Sequence, residues 1–224
     1  MNLVIVESPA KAKTINKYLG NDYKVLASYG HVRDLPSKNG SVDPEDNFKM
    51  LWEIDSFSKK YLKEITDAAM KSSKIILATD PDREGEAIAW HVQEILKEKK
   101  ILKDKKIERV VFNEITKKAV KNGIANPRNI EPSLVDAYMA RRALDYLVGF
   151  NISPILWTKL PGSKSAGRVQ SVALRLLTER EHEIEQFKPE EFWTLNVNFK
   201  TSKGVILNSN IVLLNNSKIE KFSF

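Results

Sequence analysis

Two short, mainly apolar runs, each followed by a helical pattern, constrain the fold of this 224-residue chain more than any other feature. Leu3–Val6 precedes a helix predicted from Ala10 to Leu19 and ended by Gly20, and Lys74–Thr79 precedes one over Glu86–Lys97. A third strand is predicted at Arg109–Phe112, before a short helix from Ile115 to Asn122. Alternating strands and helices predict a parallel, Rossmann-like sheet, so we expect an α/β domain over residues 1–125.

The pattern becomes helical after a linker over residues 126–132 that contains two prolines. Ser133 is predicted to cap a helix that runs to about Val148, and a second helix is predicted over Arg168–Gln186 after a loop at residues 161–167. An apolar stripe is expected on that second helix, formed by Val169, Val172, Ala173 and Leu176. Residues 126–188 therefore form a predicted helical domain.

A third region, residues 189–224, begins with strict alternation of apolar and polar side chains. The apolar positions are Trp193, Leu195, Val197 and Phe199. A period of two predicts a half-buried antiparallel strand, and we interpret the region as the start of a β-rich domain.

Composition excludes several kinds of site. The chain has no cysteine, which excludes disulfides and thiolate zinc sites, and three histidines leave little for an imidazole metal cage. No apolar run approaches the roughly 18 residues of a membrane helix, and the amino terminus lacks a signal-peptide pattern, so we expect a cytoplasmic protein without membrane contact. The net charge of +7, concentrated between Arg141 and Arg180, favours a polyanionic partner.

A cluster of carboxylates directly follows the second strand: Asp80, Asp82, Glu84 and Glu86. Ligands in parallel sheets bind beyond the carboxyl ends of the strands, where Glu7 also follows the first strand. We expect Asp80, Asp82 and Glu84 to converge on one hard cation, and Mg²⁺ suits oxygen ligands completed by phosphate. The alternative is that these acids only cap a helix, and Glu84 and Glu86 fit that role as well.

Two lysines, Lys11 and Lys13, fall in the first turn of the first helix, where positive charge opposes the helix dipole. The backbone N–H groups of that turn already attract anions. We therefore interpret Lys11 or Lys13 as a phosphate ligand, with a solvated basic face as the alternative.

Several ordered motifs resemble the type IA DNA topoisomerases. Leu3–Lys13, Ser28–Pro36 and Ala78–Glu86 resemble the Toprim domain of that family. Further matches to its helical strand-binding domain and to the start of its β-rich arch follow at Ala140–Arg142, Asp145, Gly149–Phe150, Ser153–Pro154, Leu156–Trp157, Ser165–Ser171 and Pro189–Trp193. The resemblance covers about residues 1–195.

The resemblance implies a role for each matching position. Glu7, Asp80 and Asp82 match magnesium carboxylates, Glu84 completes the acidic triad near the cleavage site, and Lys11 matches a lysine near the scissile phosphate. The positions that match DNA contacts are His31, Arg141, Arg142, Asp145, Phe150, Trp157, Ser165, Ala166, Gly167, Arg168, Val169 and Gln170. Phe150 replaces a tyrosine that is common in the family, which keeps a stacking ring but removes a hydroxyl.

Helical spacing adds Arg175 to the DNA-contacting face, because it lies seven residues after Arg168. A solvated charged face is the alternative for Arg175, as is pairing of Arg141 with Asp145. Trp157, between Leu156 and Leu160, also fits a core position. His91 and His182 match no motif and are interpreted as core or helix-surface residues.

The family relaxes negatively supercoiled DNA without ATP, through a tyrosine that attacks the backbone of one strand and forms a transient covalent link. None of the tyrosines at positions 18, 23, 29, 61, 138 and 146 has the context of that nucleophile. The resemblance therefore implies a monomeric enzyme that binds single-stranded DNA and Mg²⁺, with this chain alone inactive. Two alternatives stay open: another Toprim enzyme, such as a nuclease or primase, and a non-catalytic module that binds single strands.

Overall fold

The structure, a computed structural model, describes residues 1–102, 105–193 and 195–218. The strands are β1 Asn2–Val6, β2 Tyr23–Ala27, β3 Arg33–Asp34, β4 Val42–Asp43, β5 Lys49–Met50, β6 Glu53–Ile54, β7 Lys74–Leu77, β8 Lys106–Arg109, β9 Asn196–Lys200, β10 Ile206–Asn210, β11 Leu213–Leu214 and β12 Ser217–Lys218. The helices are α1 Pro9–Leu19, α2 Lys59–Lys71, α3 Arg83–Glu98, α4 Lys117–Ala125, α5 Pro132–Lys159 and α6 Arg168–Gln186.

A four-stranded parallel sheet in the order β2-β1-β7-β8 organises the first part of the chain. Alternate side chains of β1 enter two different cores, as the period of two requires. Leu3 and Ile5 pack with residues of α2 and α3, whereas Val4 and Val6 pack with residues of α1 and α4. The predicted α/β fold with a Rossmann-like parallel sheet is confirmed.

The strand order creates a switch point between β1 and β7. From β1 the chain adds β2 on one side, and it later adds β7 on the other side. Connections leave the sheet in opposite directions there, which opens a crevice at the carboxyl ends of the two strands. Glu7 follows β1 and Asp80 lies three residues after β7, so both flank this crevice.

Some predicted boundaries were wrong. The third strand, β8, ends at Arg109 rather than beginning there, because Lys106 and Glu108 form edge ion pairs that place the polar half of the segment in the sheet. Helix α3 begins three residues earlier than predicted, since the Asp82 side chain caps it. Helix α4 starts after its cap, Thr116. Strand β2 and helix α2 were not predicted.

Helix α5 is much longer than the predicted helix and continues through Pro154 to Lys159. Its cap residue is Glu131, not Ser133. The helix contacts α3, and Ala143 and Tyr146 bury against the segment that contains β3 to β6. The mainly helical character predicted after the sheet is confirmed.

The chain divides into two compact units, residues 1–170 and residues 171–224. In the second unit, β9 and β10 form an antiparallel pair, and β11 pairs with β12. The short antiparallel strands confirm the predicted start of a β-rich region; Thr194 and residues 219–224 lie outside the described residues. The three-domain division at residues 125 and 188 stays a prediction.

The predicted half-burial of the alternating strand was wrong. Trp193 and Phe199 are exposed, as is every residue of β9, and α6 contains no buried residue. The four residues of the predicted apolar stripe of α6 are all exposed. Across the described residues, no helix combines the length and apolar character required to cross a membrane.

Candidate metal and nucleic-acid site

An ammonium group bridges two carboxylates at the switch point of the sheet. Lys11 Nζ donates to Glu7 and, at 2.5 Å, to Asp80 Oδ1. Ser8 caps α1 by accepting a hydrogen bond from the Lys11 backbone N–H, so the first turn of α1 carries Lys11 between the ends of β1 and β7. Glu7 Oε2 is buried and has no hydrogen-bond partner among the residues that the structure describes.

The carboxylates of this pair have unequal proton affinity. Burial, together with the neighbouring Asp80, raises the pKa of Glu7 above its ordinary value. Burial also acts on Asp80, but hydrogen bonds to Glu7 and Lys11 outweigh it and lower the pKa of Asp80. Two adjacent carboxylates that share one ammonium group form a site that a divalent cation would stabilise.

The loop between β7 and α3 is held by very close packing. Asp82 Oδ1 accepts a hydrogen bond from the Gly85 backbone N–H at 2.8 Å, and Thr79 Oγ1 donates to the Gly85 carbonyl at 2.6 Å. A Cβ atom at Gly85 would lie 2.2 Å from the Asp80 carbonyl oxygen. Only glycine allows the first turn of α3 to approach Asp80 this closely.

Glu84 points to α5 rather than to Asp80. Arg141 Nη1 donates to Glu84 Oε1 at 2.6 Å, and His31 Nε2 lies 3.4 Å from Glu84 Oε2. The ring of His31 stacks on Tyr138 with a centroid distance of 5.2 Å. Glu84 and His31 thus join the carboxylate cluster to the basic surface of α5.

The expected convergence of Asp80, Asp82 and Glu84 on one point is not observed. Asp80 pairs with Lys11, Asp82 caps α3, and Glu84 pairs with Arg141, because each side chain has a nearer donor. Within the described residues, no group of three or more potential ligands is arranged to hold a metal ion. All three acids nevertheless line one cavity with Glu7, which has a volume of about 520 Å³.

A second cavity, of about 690 Å³, adjoins α5 and is lined by half of the positions that match DNA contacts: Arg142, Asp145, Phe150, Trp157, Ser165 and Ala166. Phe150 stacks on Tyr146 with a centroid distance of 4.4 Å. Trp157 is 58% exposed, and its indole N–H donates to the Lys164 carbonyl at 2.7 Å. The core interpretation of Trp157 was wrong, because the indole faces solvent in a fixed orientation.

Ion pairs place the basic side chains of this surface. Arg142 donates to Asp34 Oδ1, and Arg168 donates to both carboxylate oxygens of Asp145 at 2.9 and 3.3 Å. Arg142 and Asp145 line both the second cavity and a smaller one, of about 260 Å³, that also includes Glu84 and Arg141. The hydrogen bond from Arg168 lowers the pKa of Asp145, so this pair stays charged.

The loop before α6 contributes backbone and small side chains. The Ala166 backbone N–H donates to Ser153 Oγ at 3.0 Å, and Gln170 Nε2 donates to Ser165 Oγ at 3.2 Å. Ser165 and Ala166 line the second cavity. Gly167 and Val169 belong to the same segment, and Val169 is exposed.

Three further predicted positions have simple surroundings. Arg175 pairs with Glu179 on its own helix at 2.7 Å, which matches the alternative of a charged helix face. Lys13 is exposed. His91 is a core residue, enclosed by Trp52 and Trp90.

A buried ion cluster behind the loop was not predicted. Glu86 and Arg109 are fully or almost fully buried and pair at 3.0 Å, and Arg128 adds two hydrogen bonds to Glu86 at 2.7 Å. A charged residue directly before the apolar run Val110–Phe112 was a signal that Arg109 needs a buried partner. Its partners lie 23 and 19 positions away, at Glu86 and Arg128, and no local pattern identifies them.

Two family models match the chain. The Toprim domain model matches residues 2–115, and a DNA topoisomerase model matches residues 129–223.

Three similar proteins bear the name DNA topoisomerase 1. The protein from Rickettsia felis is 58% identical over 224 residues, which is 100% of this chain and 29% of the relative. The protein from Zymomonas mobilis is 58% identical over 223 residues, or 100% of this chain and 18% of the relative.

The third relative, from Xylella fastidiosa strain Temecula1, is 55% identical over 222 residues, or 99% of this chain and 27% of the relative. The solved structure of full-length topoisomerase I from Thermotoga maritima matches 98% of this chain and 36% of its own, with a TM-score of 0.77 and 39% identity. The chain thus spans less than a third of the curated relatives described here. Because both family models match and the chain has the parallel sheet with its acidic crevice, the chain belongs to the type IA DNA topoisomerase family and contains that family's Toprim domain.

Proposed function

We propose that the chain is the metal-binding and strand-binding part of a type IA DNA topoisomerase, an enzyme that relaxes negatively supercoiled DNA without ATP. The observation that carries this proposal is the Glu7–Lys11–Asp80 cluster at the switch point of a parallel sheet. The carboxyl ends of β1 and β7 meet at this switch point, which is where parallel α/β sheets bind their ligands.

The residues present fit a hard divalent cation. Toprim domains as a family bind Mg²⁺, and the buried Glu7 Oε2 is an oxygen for which the described part of the chain supplies no donor. Glu7, Asp80 and Asp82 would hold the ion, which would supply charge neutralisation and polarisation at a DNA phosphate. Lys11 would then exchange its carboxylate partners for a phosphate oxygen, which is the role expected for the lysine near the scissile bond.

The surface of α5 would bind the single strand. Arg141, Arg142 and Arg168 provide charge beside the cavities, and every one of them is paired with a carboxylate in the free protein. Phe150 and Trp157 provide exposed aromatic faces on which bases can stack. His31, between Glu84 and Tyr138, would contact the DNA strand where the strand enters the acidic cavity, the one lined by Glu7, Asp80, Asp82 and Glu84.

Strand cleavage needs a tyrosine nucleophile that none of the tyrosines here supplies. Tyr29 lines the acidic cavity, but its ring stacks on Tyr61 at a centroid distance of 3.7 Å. We therefore expect these 224 residues to bind a strand but neither to cut nor to relax DNA unless a tyrosine-bearing segment is supplied. We also expect the protein to be monomeric and cytoplasmic.

A binding measurement tests the strand-binding role. Fluorescence anisotropy of a labelled single-stranded oligonucleotide is recorded against salt for the wild type, Arg142→Ala and the control Arg180→Ala. Arg142 lines both cavities beside α5, whereas Arg180 is an exposed residue paired with Glu183 on α6. We expect Arg142→Ala to weaken binding and to reduce the slope of log affinity against log salt by about 1. Equal effects of the two substitutions would contradict the proposed surface.

A plasmid assay tests the catalytic expectation. Negatively supercoiled plasmid incubated with the chain and Mg²⁺ should keep its linking number. Relaxation by the chain alone would show that a tyrosine within it acts as the nucleophile. Protein-free nicks with ordinary ends would favour a Toprim nuclease instead.

A further inference from the structure

We propose that Glu86, acting through Arg109 and Arg128, is the positioning residue that holds Asp80 in place for a divalent cation. The inference rests on the proposed metal-binding role of Asp80 and identifies residues beyond the acidic motif that make it possible. Glu86 lies four residues after Asp82 and points away from the cavity that contains the other acids.

The Glu86 carboxylate is fully buried and fully satisfied. It accepts hydrogen bonds from Arg109 Nε at 3.0 Å, from both terminal nitrogens of Arg128 at 2.7 Å, and from the Glu131 backbone N–H at 2.7 Å. Burial raises the pKa of Glu86, but these donors outweigh it and lower the pKa, so the group is a carboxylate. An apolar side chain in its place would avoid the cost of burying charge, so stability alone does not account for the cluster.

Arg109 connects Glu86 to the backbone of the loop between β7 and α3, which carries Asp80. Its Nη2 donates to the Asp80 carbonyl at 2.6 Å, and its Nη1 donates to the Thr79 carbonyl at 2.8 Å. These carbonyls lie beyond the end of β7, where sheet hydrogen bonds no longer hold the chain. Arg109 is oriented by Glu86, because a planar guanidinium bound to a carboxylate through Nε has its other nitrogens fixed.

The Asp80 backbone is therefore confined from two sides. Arg109 holds its carbonyl oxygen, and the first turn of α3 packs against the same atom at Gly85, where no Cβ fits. The Asp80 side chain emerges from this fixed backbone towards Glu7 and Lys11. A metal ligand on a loop needs such support, because hydrogen bonds beyond the ligand shell orient the ligand.

The same carboxylate also fixes the entry to the strand-binding helix. Arg128 and Arg109 exchange backbone hydrogen bonds at 3.1 and 2.8 Å, and Glu131, the N-cap residue of α5, donates its backbone N–H to Glu86. Glu86 thus lies at the junction between the loop that carries Asp80 and the start of α5, which carries Arg141. One buried group sets the relative position of the proposed metal and DNA ligands.

Manganese binding by the 224-residue chain provides the test. Mn²⁺ alone is titrated into the wild type, Arg128→Met, Glu86→Gln and the control Ile65→Ala. Electron paramagnetic resonance measures how much of the ion each protein binds. Ile65, on α2, is buried in a core cluster that does not include Glu86, Arg109 or Arg128, so Ile65→Ala destabilises the fold without removing a member of the network. Each variant is measured at a temperature where circular dichroism shows it folded.

We expect Arg128→Met and Glu86→Gln to weaken Mn²⁺ binding about tenfold or more, and Ile65→Ala to leave it unchanged. Arg128→Lys, which keeps the charge but loses the paired hydrogen bonds, should recover part of the affinity. Arg128 is partly exposed, so its variants keep the test valid if Glu86→Gln does not fold.

The outcomes separate the two proposals. If the wild type binds Mn²⁺ and Arg128→Met binds it equally well, the positioning role is wrong while the metal site stands. Equal weakening by Ile65→Ala would show a general effect of stability and overturn the inference as well. If the wild type takes up no Mn²⁺, the proposed metal role of Asp80 fails together with the inference.

Discussion

Helix α3 and helix α6 are similar in length and pattern but opposite in environment. Nine residues of α3 are buried, including Ile95 and Leu96, whereas α6 has none, and its Leu176 is 62% exposed. The β9–β10 pair resembles α6, since its apolar residues are also exposed. An amphipathic pattern therefore predicts which face of an element is apolar, while the presence of a packing partner is a separate condition.

The largest predicted difference between the two helices is in how much an alanine substitution lowers the free energy of unfolding. Ile95→Ala should lower the free energy of unfolding by about 2–5 kcal/mol, because it opens a cavity in the core between the sheet and α3. Leu176→Ala should change it by less than about 0.5 kcal/mol. Urea denaturation followed by circular dichroism measures both, and similar losses would mean that α6 is packed in solution.

A glycine pair tests whether the start of α3 is as tightly packed as the structure indicates. Gly85→Ala should cost about 1–3 kcal/mol or more, because the new Cβ meets the Asp80 carbonyl. The control is Gly149→Ala in α5, where the nearest atom would be 3.8 Å away and alanine should stabilise the helix by up to about 1 kcal/mol. Urea midpoints that shift in the same direction for both variants would refute the tight contact.

A histidine pair sharpens the contrast through pH. Burial, with the nearby Arg33 and His31, lowers the pKa of His91 to about 3 from 6.5. Below pH 6.5 the unfolded chain binds a proton at this position and the folded chain does not, so stability is lost as pH falls towards 3. Between pH 7 and pH 5 the loss should be about 2 kcal/mol.

The variant His91→Phe should remove this part of the pH dependence, because phenylalanine suits the aromatic surroundings and does not titrate. His182→Gln, at an exposed position of α6, should retain the wild-type dependence. The measurement is the difference in unfolding free energy between the two pH values for each protein. A wild-type slope in His91→Phe would assign the effect to another group.

Much of the site could be predicted because it depends on local order along the chain. Strand ends carry Glu7 and Asp80, and parallel pairing places such ends at one edge, where both carboxylates form ion pairs with Lys11. The partners of Asp82 and Glu84 could not be predicted, since a cap and an ion pair with Arg141 compete with convergence on one ion. The order of motifs also indicated the family.

The sequence by itself determined the alternation of strands and helices, the apolar faces and the order of the acidic and basic motifs, because these follow from periodicity and from residue chemistry at short range. Only the tertiary structure decided which apolar faces are buried and which charges meet. One example is the ion cluster of Glu86, Arg109 and Arg128, which are far apart in the chain. They pair because the sheet register and the linker before α5 bring them together around the buried Glu86 carboxylate. Burial makes that pairing obligatory, since an isolated charge there would be too costly to keep.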